Sequence, residues 1–524
     1  MLTRLKVSGF KNLIDVDIRF SPFTCIAGAN GVGKSNLFDA IQFLSALSDR
    51  SLIEAARSIR EENKKSRKTP DIRSLFHQVG NEYDTEMSFE AEMLIPKQGT
   101  DDLGQAAKAS STFLRYTLIV AYRAEPRFPQ SLGSLEILKE ELVRIKKYDI
   151  QENLLFDYSK QWINSWFESQ SQRRVPFIST EGEKYDDDRK IKVHQDSGSS
   201  GRDEGGSVGT SRKFLAKTLP RTVLSESNAL ESPTALLAKR EMQSWRILQL
   251  EPSSLRESDD FIDFMSDTVL GMDGSHLPAT LYRLATDMEN LNDGESIDDS
   301  GQQIYTQIAN TLSELIHDVR SVSIDRDEKR QLLTLMVEGR DRTFHPARAL
   351  SDGTLRFLAL AVLNLDHKTQ GLLCLEEPEN GIHPERIPAI LKLLQSIATD
   401  VNAPVSIDNP LRQVIINTHS PAVVLQVPDD SLVIAELKEI VNNHKRYKGV
   451  RFSCLDGTWR THGEATNIVA KGRLLGYLNP VAANEGIENY SNGISKTKSK
   501  KRSRVVDRPD IQPYITGWEA ILES

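Results

Sequence analysis

Apolar and polar side chains alternate over residues 2–7 and again over 14–20, with Gly9 and Lys11-Asn12 between, which predicts two antiparallel strands. Residues 23–27 form a short apolar run of the kind that makes a buried strand. Beyond a glycine-rich break, apolar residues recur at Leu37, Ile41, Leu44 and Leu47 with a helical period, predicting a helix over 36–47. Residues 85–95 and 113–122 alternate again and are expected to extend the first sheet, while 52–68, rich in Arg, Glu and Lys, reads as a helix with a solvated face. No motif stands out in 133–180. Residues 184–192 are crowded with charge, and the Ser/Gly-rich run 195–211 is expected to be a mobile loop that interrupts the core. A strand is predicted over 244–250, helices over 261–270, 280–288 and 304–319, and strands over 321–324 and 331–338. The last dense region predicts an apolar helix over 355–365, a buried strand over 372–375, a helix over 387–398, and strands over 413–416 and 432–437. There is no heptad run long enough for an extended coiled coil and no internal repeat.

A length of 524 residues suggests roughly two to four domains, or one domain with large insertions. The formal net charge of −8, with 27% charged residues, describes a soluble acidic chain on which nucleic acid would have to meet a local patch. The three cysteines, Cys25, Cys374 and Cys454, are far apart and odd in number, which argues against a disulfide framework and a zinc site and for a reducing cytoplasm. With no leader-like start and no apolar run of membrane-spanning length, a cytoplasmic protein without membrane attachment is expected.

Candidate chemistry begins at Gly28-Ala29-Asn30-Gly31-Val32-Gly33-Lys34-Ser35. Glycines at this spacing let a loop turn successive N–H groups toward a polyphosphate at the positive end of the following helix. Lys34 would reach the β- and γ-phosphates and the Ser35 hydroxyl would ligate Mg²⁺. Far downstream, Ser351-Asp352-Gly353-Thr354 opens an apolar helix, a position suited to an anion. The strand over 372–375 runs into Glu376-Glu377-Pro378-Glu379. Two adjacent carboxylates behind four apolar residues are costly to bury unless a cation or an attacking water uses them; a solvated acidic turn is the alternative. The strand over 413–416 ends in Asn417-Thr418-His419-Ser420-Pro421. His419 thereby falls at the strand edge where ligands of α/β folds collect, unless it is a satisfied strand-end histidine.

Taken together, these stretches resemble the head domain of the ABC-type ATPases of the RecF and SMC kind, and within them the OLD-related branch of defence-associated ATPases. The resemblance covers residues 1–47 and 340–435, with 271–281 similar to the segment leading into the second lobe. It implies an α/β fold: a bilobed ABC/SMC-like ATPase head with a mixed sheet, a large mostly helical insertion and a short C-terminal extension. Its parts would be a first lobe over 1–130, the insertion over 131–243, a second lobe over 244–435 and the extension over 436–524. By the same resemblance, Asn30, Gly31, Gly33, Lys34, Ser35 and Asn36 bind ATP, and Ser351, Asp352 and Gly353 stand where the signature sequence stands. Ser35 and Glu376, with Gln78 as a Q-loop residue, would serve the Mg²⁺. Glu377 would be the general base, residues 380–384 would resemble the D-loop, and His419 would be the switch histidine. Glu376 replaces the usual aspartate and the signature carries Asp352 for glycine, so hydrolysis is expected to be slow or conditional.

The resemblance further implies a homodimer or higher homo-oligomer, in which one copy's signature closes on the nucleotide of another. OLD nucleases place a Toprim domain after the switch histidine. Here Glu436 lies in a predicted strand but no Asp-x-Asp follows, so no nuclease activity is expected in this chain. An ATPase of this branch without its own nuclease is similar to the ATPase component of Septu and retron-linked anti-phage systems. That similarity implies a separate HNH nuclease as partner, and retron reverse transcriptase or its msDNA as further candidates. An autonomous RecF-like DNA repair ATPase is the alternative, and a transporter motor ranks behind both. The basic run 496–504 would meet phosphates or an acidic partner, or be a solvated tail.

Overall fold

Leu2–Ser8 and Val16–Arg19 form the expected antiparallel pair, and around them grows an eight-stranded sheet. Its spatial order is Arg212–Leu215, Lys190–Val193, Ile178–Glu181, Ser134–Arg144, Phe113–Arg123, Glu86–Leu94, Leu2–Ser8, Val16–Arg19, every neighbouring pair antiparallel. The computed structural model describes residues 1–59, 71–124, 133–169, 175–196, 212–261, 268–291, 299–316, 318–442, 445–463, 467–478 and 505. It comprises two units. The first contains Met1–Arg246, Asp400–Val405 and Asp430–Arg473, and the second Ile247–Thr399, Ser406–Asp429 and Leu474–Ser524.

In the first unit, alternation sends Leu5, Val7, Phe89, Leu118 and Val120 into the core. The helix Lys34–Leu47 lays Phe43 against Phe10 and Phe89, with ring centroids 6.0 and 5.6 Å away. Burial of each such ring contributes roughly 2–3 kcal/mol, so the helix behind the glycine-rich loop is fixed to the sheet by its own apolar face. The strand Phe23–Ala27, buried at every position, lies parallel to Leu432–Asn442, which pairs in turn antiparallel with Lys445–Cys454.

The expectation of a mostly helical segment over 131–243 is corrected by the structure, because four of the eight sheet strands fall within it. Ser134–Arg144 reads Ser-Leu-Glu-Ile-Leu-Lys-Glu-Glu-Leu-Val-Arg, a composition of good helix formers. Leu135, Ile137 and Leu142 are nevertheless buried against the sheet, and pairing along Phe113–Arg123 outweighs the intrinsic preference. Short helices, among them Lys160–Trp166 and Pro233–Gln243, decorate this extension. The helix expected over 304–319 is observed at Asp299–Ser313, and Val319 already opens the strand Val319–Asp327. The helix expected over 52–68 begins as Leu52–Ser58; its remainder, the Ser/Gly-rich run, most of 261–270 and the basic run 496–504 lie outside the described residues.

In the second unit, Gly371–Glu376 and Arg412–Thr418 run parallel, with Glu376 opposite Asn417. The helices Asp352–Leu365 and Ile387–Ile397 belong to the same unit, their apolar faces buried. Buried cations fasten the end of the first of these. Arg283 pairs with Asp366 at 2.7 Å, both inaccessible, and Arg412 donates to the Leu363 carbonyl at 2.6 Å, satisfying a helix C-terminal acceptor. The hairpin Val319–Asp327 with Leu332–Gly339, joined by the short strands Asp259–Asp260 and Phe344–Pro346, forms a separate four-stranded sheet in this unit.

One buried carboxyl makes the first unit pH-sensitive. Glu140 accepts the backbone N–H groups of Val223 and Leu224, each at 2.8 Å, and the Tyr116 hydroxyl at 3.2 Å. Burial still pushes its pKa up to about 7 from 4.5. The folded state thus keeps a proton that the unfolded chain has already lost, and stability falls as pH rises from 4.5 toward 7. The expected loss is on the order of 3 kcal/mol. Thermal melts between pH 5 and 8 should show this slope, and Glu140→Gln should flatten it; an unchanged slope would remove Glu140 as its source.

Candidate nucleotide-binding and acidic sites

The glycine-rich loop of the first unit follows the buried strand Phe23–Ala27 directly. Gly31 and Gly33 adopt φ of 79° and 109°, a region costly to side-chain-bearing residues. Space restricts two positions as well. A Cβ on Gly28 would stand 2.5 Å from the Ala435 carbonyl oxygen, and one on Gly33 would stand 2.3 Å from the Asn12 amide. Gly33 caps the helix Lys34–Leu47 with no side-chain hydrogen bond, and no acidic residue occupies the first turn. The N–H groups of that turn and the positive helix end are therefore available to an anion.

Lys34 is 6% exposed, and its ammonium donates to the carbonyls of Gly28 at 2.6 Å and Ala29 at 3.0 Å, so it is folded across its own loop. Asn12 supports the same loop, and composition alone had marked it only as part of a turn. Its Nδ2 donates to the Val32 carbonyl at 3.0 Å, and its Oδ1 accepts from Asn36 Nδ2 at 2.8 Å. Lys11 beside it pairs with Asp39 of the helix at 2.7 Å. Asn36, expected among the nucleotide-binding residues, thus holds the loop's supporting side chain.

In the second unit the acidic segment leaves Gly371–Glu376 through a strained residue. Glu377 has φ of 46°, a left-handed conformation that costs of order 1–3 kcal/mol in a non-glycine residue. It is held there because its N–H donates to both the carbonyl and the side-chain oxygen of Asn417, at 3.0 and 3.1 Å. Its carboxylate is held at both oxygens, by His419 Nδ1 at 2.6 Å and Asn380 Nδ2 at 2.9 Å. Asn417 also donates to Glu376 at 3.3 Å. Glu376, Glu377 and His419 therefore share one strand edge.

Burial falls elsewhere than expected. Glu376 is exposed and Glu377 half-buried, since the buried run of the strand stops at Leu375. The buried carboxyl is Glu379, which accepts from the Thr418 hydroxyl, and burial raises its pKa above the ordinary carboxylate range. The turn after Glu377 carries it under the neighbouring strand, a placement that no local pattern signals.

The signature-like segment lies in the same unit. Ser351 caps the helix Asp352–Leu365 by accepting from the Thr354 N–H at 3.2 Å, Asp352 pairs with Arg256, and a Cβ on Gly353 would stand 2.4 Å from the Gly381 carbonyl oxygen. Arg356 donates to the Asn380 carbonyl at 2.6 Å, tying this helix to the turn that positions Glu377. In the first unit, Gln78 sits in the two-residue hairpin strand Gln78–Val79, exposed, its amide donating to Gly80 at 2.8 Å.

Within the first unit the loop's donors suit the phosphates of a nucleotide and its Mg²⁺: the loop offers amides and the Lys34 ammonium, and Ser35 a hydroxyl oxygen. Among the described residues no group of three His, Cys, Asp or Glu is placed to hold a metal ion. No described helix is long and apolar enough to cross a membrane.

Comparison with known proteins assigns the class. Residues 23–425 match the family model described as "AAA domain, putative AbiEii toxin, Type IV TA system", and the chain belongs to that family. It is an ATPase-family protein whose matched region spans both the loop and the acidic segment. The DNA replication and repair protein RecF of Porphyromonas gingivalis is 46% identical over 46 residues, 9% of this chain and 13% of that protein. Among solved structures, an Smc head bound to the C-terminal winged-helix domain of ScpA aligns over 87% of this chain and 98% of its own, at 14% identity and a TM-score of 0.42. The SMC head domain from Thermotoga maritima aligns over 87% and 99%, at 11% and a TM-score of 0.34.

Asn12→Ala removes two side-chain hydrogen bonds from the loop without touching a phosphate donor. Each is worth roughly 1 kcal/mol, so ATP affinity measured by titration calorimetry should drop about tenfold. An unchanged affinity would show that the loop needs no support from Asn12.

Proposed function

We propose that this chain is the ATP-binding, slowly hydrolysing regulatory subunit of an anti-phage defence complex, PtuA-like, that controls a separate PtuB-like HNH nuclease through nucleotide-dependent head dimerisation. The observation that carries the ATPase reading is the clasp on Glu377: a carboxylate held at both oxygens by His419 and Asn380, on a family member that also has the glycine-rich loop.

In this reading Lys34 and the amides of Asn30, Gly31, Gly33, Ser35 and Asn36 bind the phosphates. Ser35 and Glu376 would hold Mg²⁺, with Gln78 as a further candidate, and the ion would supply charge neutralisation at the γ-phosphate. Glu377 orients the attacking water and accepts its proton, and His419 fixes the carboxylate. Ser351, Asp352 and Gly353 serve the nucleotide of a second copy. Closure of the dimer is the output, because nucleotide that binds the closed state better shifts the population toward it. A retron reverse transcriptase or its msDNA is a further candidate partner. The short RecF match favours a second reading, an ATPase that binds DNA on its own.

Lys34→Ala should abolish ATP binding, while Glu377→Gln should retain ATP and accumulate dimer in size-exclusion chromatography with ATP and Mg²⁺. Equal nucleotide affinity in wild type and both variants would remove Lys34 from the site. Co-purification with the product of the neighbouring gene tests the defence reading. An HNH nuclease in the complex supports it; tight ATP-dependent DNA binding by the isolated protein supports the RecF-like reading instead.

A further inference from the structure

A second concave site lies within the first unit, lined by residues that the ATPase reading does not use. Across the eight-stranded sheet, Arg19 stands directly opposite Arg4, Arg4 opposite Glu92, and Glu92 opposite Arg115. Like charges facing each other across strands are destabilising, and a row of three guanidiniums needs anions around it. Glu92, fully buried, serves two of them: Arg115 at 2.8 Å and Arg4 at 3.5 Å. Asp17 engages Arg4 a second time, at 2.6 and 2.8 Å.

Arg19 is left without such a partner. Its guanidinium donates to the Asn153 carbonyl at 2.8 Å, and among the described residues no carboxylate lies within ion-pair distance of it. Burial, then repulsion from Arg4, lowers its pKa, so the half-buried charge is held at a cost. The backbone there is rigid: Arg460, fully buried, donates to the Arg19 carbonyl at 3.3 Å and stacks on Trp459 with 4.1 Å to the ring centroid.

Above this row opens a cavity of about 590 Å³. Arg4, Arg19, Arg115 and Arg144 line it, with Asp149 and Glu152 also in the wall. Four guanidiniums and two carboxylates make the lining bipolar, with Asp17 and Glu92 already engaging Arg4 and Arg115 from outside it. The volume falls in the range of small-molecule sites, roughly 300–1,000 Å³. A polymeric phosphate backbone would have to pass the two carboxylates, whereas a compact ligand with an anionic end and a hydroxyl or amino end meets both kinds of group at once.

We propose that this cavity binds a phosphorylated small molecule, its phosphate held by Arg19, Arg115 and Arg144 and its hydroxyl or amino groups by Asp149 and Glu152. Guanidiniums suit the phosphate because they present forked donors to its oxygens. Glu92 and Asp17 act on Arg19 only at longer range, and the bound anion supplies a direct ion pair, so occupancy and stability are coupled.

The test uses the full chain carrying Lys34→Ala, which silences the glycine-rich loop, and inorganic pyrophosphate as probe. Calorimetry should show saturable binding at one site, weakened about tenfold or more when Arg19→Gln is added, and partly restored by Arg19→Lys. The unliganded Arg19→Gln protein should melt no lower than its parent, because the substitution removes a half-buried charge that faces Arg4, while the upward melting shift produced by pyrophosphate is lost. Should it melt lower, the pyrophosphate affinity and melting shift are read instead in Arg144→Gln, another guanidinium of the cavity. Absence of pyrophosphate binding to the Lys34→Ala protein, or binding undiminished by both substitutions, would overturn the proposal. So would retention of single-stranded oligonucleotides with no response to pyrophosphate.

Discussion

The double hydrogen bond from the Glu377 amide to Asn417 is the constraint on which the acidic site rests. A left-handed glutamate would relax if its N–H had a free choice of partner. Offering it two oxygens of one residue, itself set opposite Glu376 in a parallel ladder, keeps the turn closed. The consequence reaches the side chain, because in this backbone conformation the carboxylate lies between His419 and Asn380. Geometry at the end of two parallel strands therefore gives this carboxylate a fixed direction, with both oxygens in use.

The glycine-rich loop follows the opposite strategy. Its glycines give up side chains so that the chain can pass under Asn12 and beside Ala435, and its helix is left without a cap. Rigidity comes from outside the loop, through Asn12, through the Lys11–Asp39 pair and through the aromatic packing of Phe43 on Phe10 and Phe89. Lys34 meanwhile donates to the carbonyls of Gly28 and Ala29. These oxygens are weaker partners for an ammonium than phosphate oxygens, so the same side chain can exchange one set for the other when an anion enters.

Polar burial in the first unit is divided between satisfied and unsatisfied charge. Glu140 is surrounded by donors and holds the turn at Val223 and Leu224 in place, whereas Arg19 faces another arginine across the sheet and a neutral carbonyl. Both sit on one antiparallel sheet, yet only the first arrangement serves stability at low pH. The second is the kind of local conflict that native chains keep where a ligand relieves it.

Much of the framework was legible in the chain itself. The strand, loop and helix around Gly28–Ser35, the apolar helix behind Ser351, and the strands that end at Glu376 and at Thr418 follow from periodicity and glycine placement, because each is decided by neighbours a few residues away. The strands between residues 134 and 215 were not legible. The composition of Ser134–Arg144 favours helix and the other three are each only four residues long, so pairing with partners distant in sequence makes them sheet. The same holds for Asn12 under the loop, for the burial of Glu379 in place of Glu376, and for the facing of Arg19 and Arg4. Register and turn geometry decide which side chains meet, and both are set by long-range packing that a linear pattern does not encode.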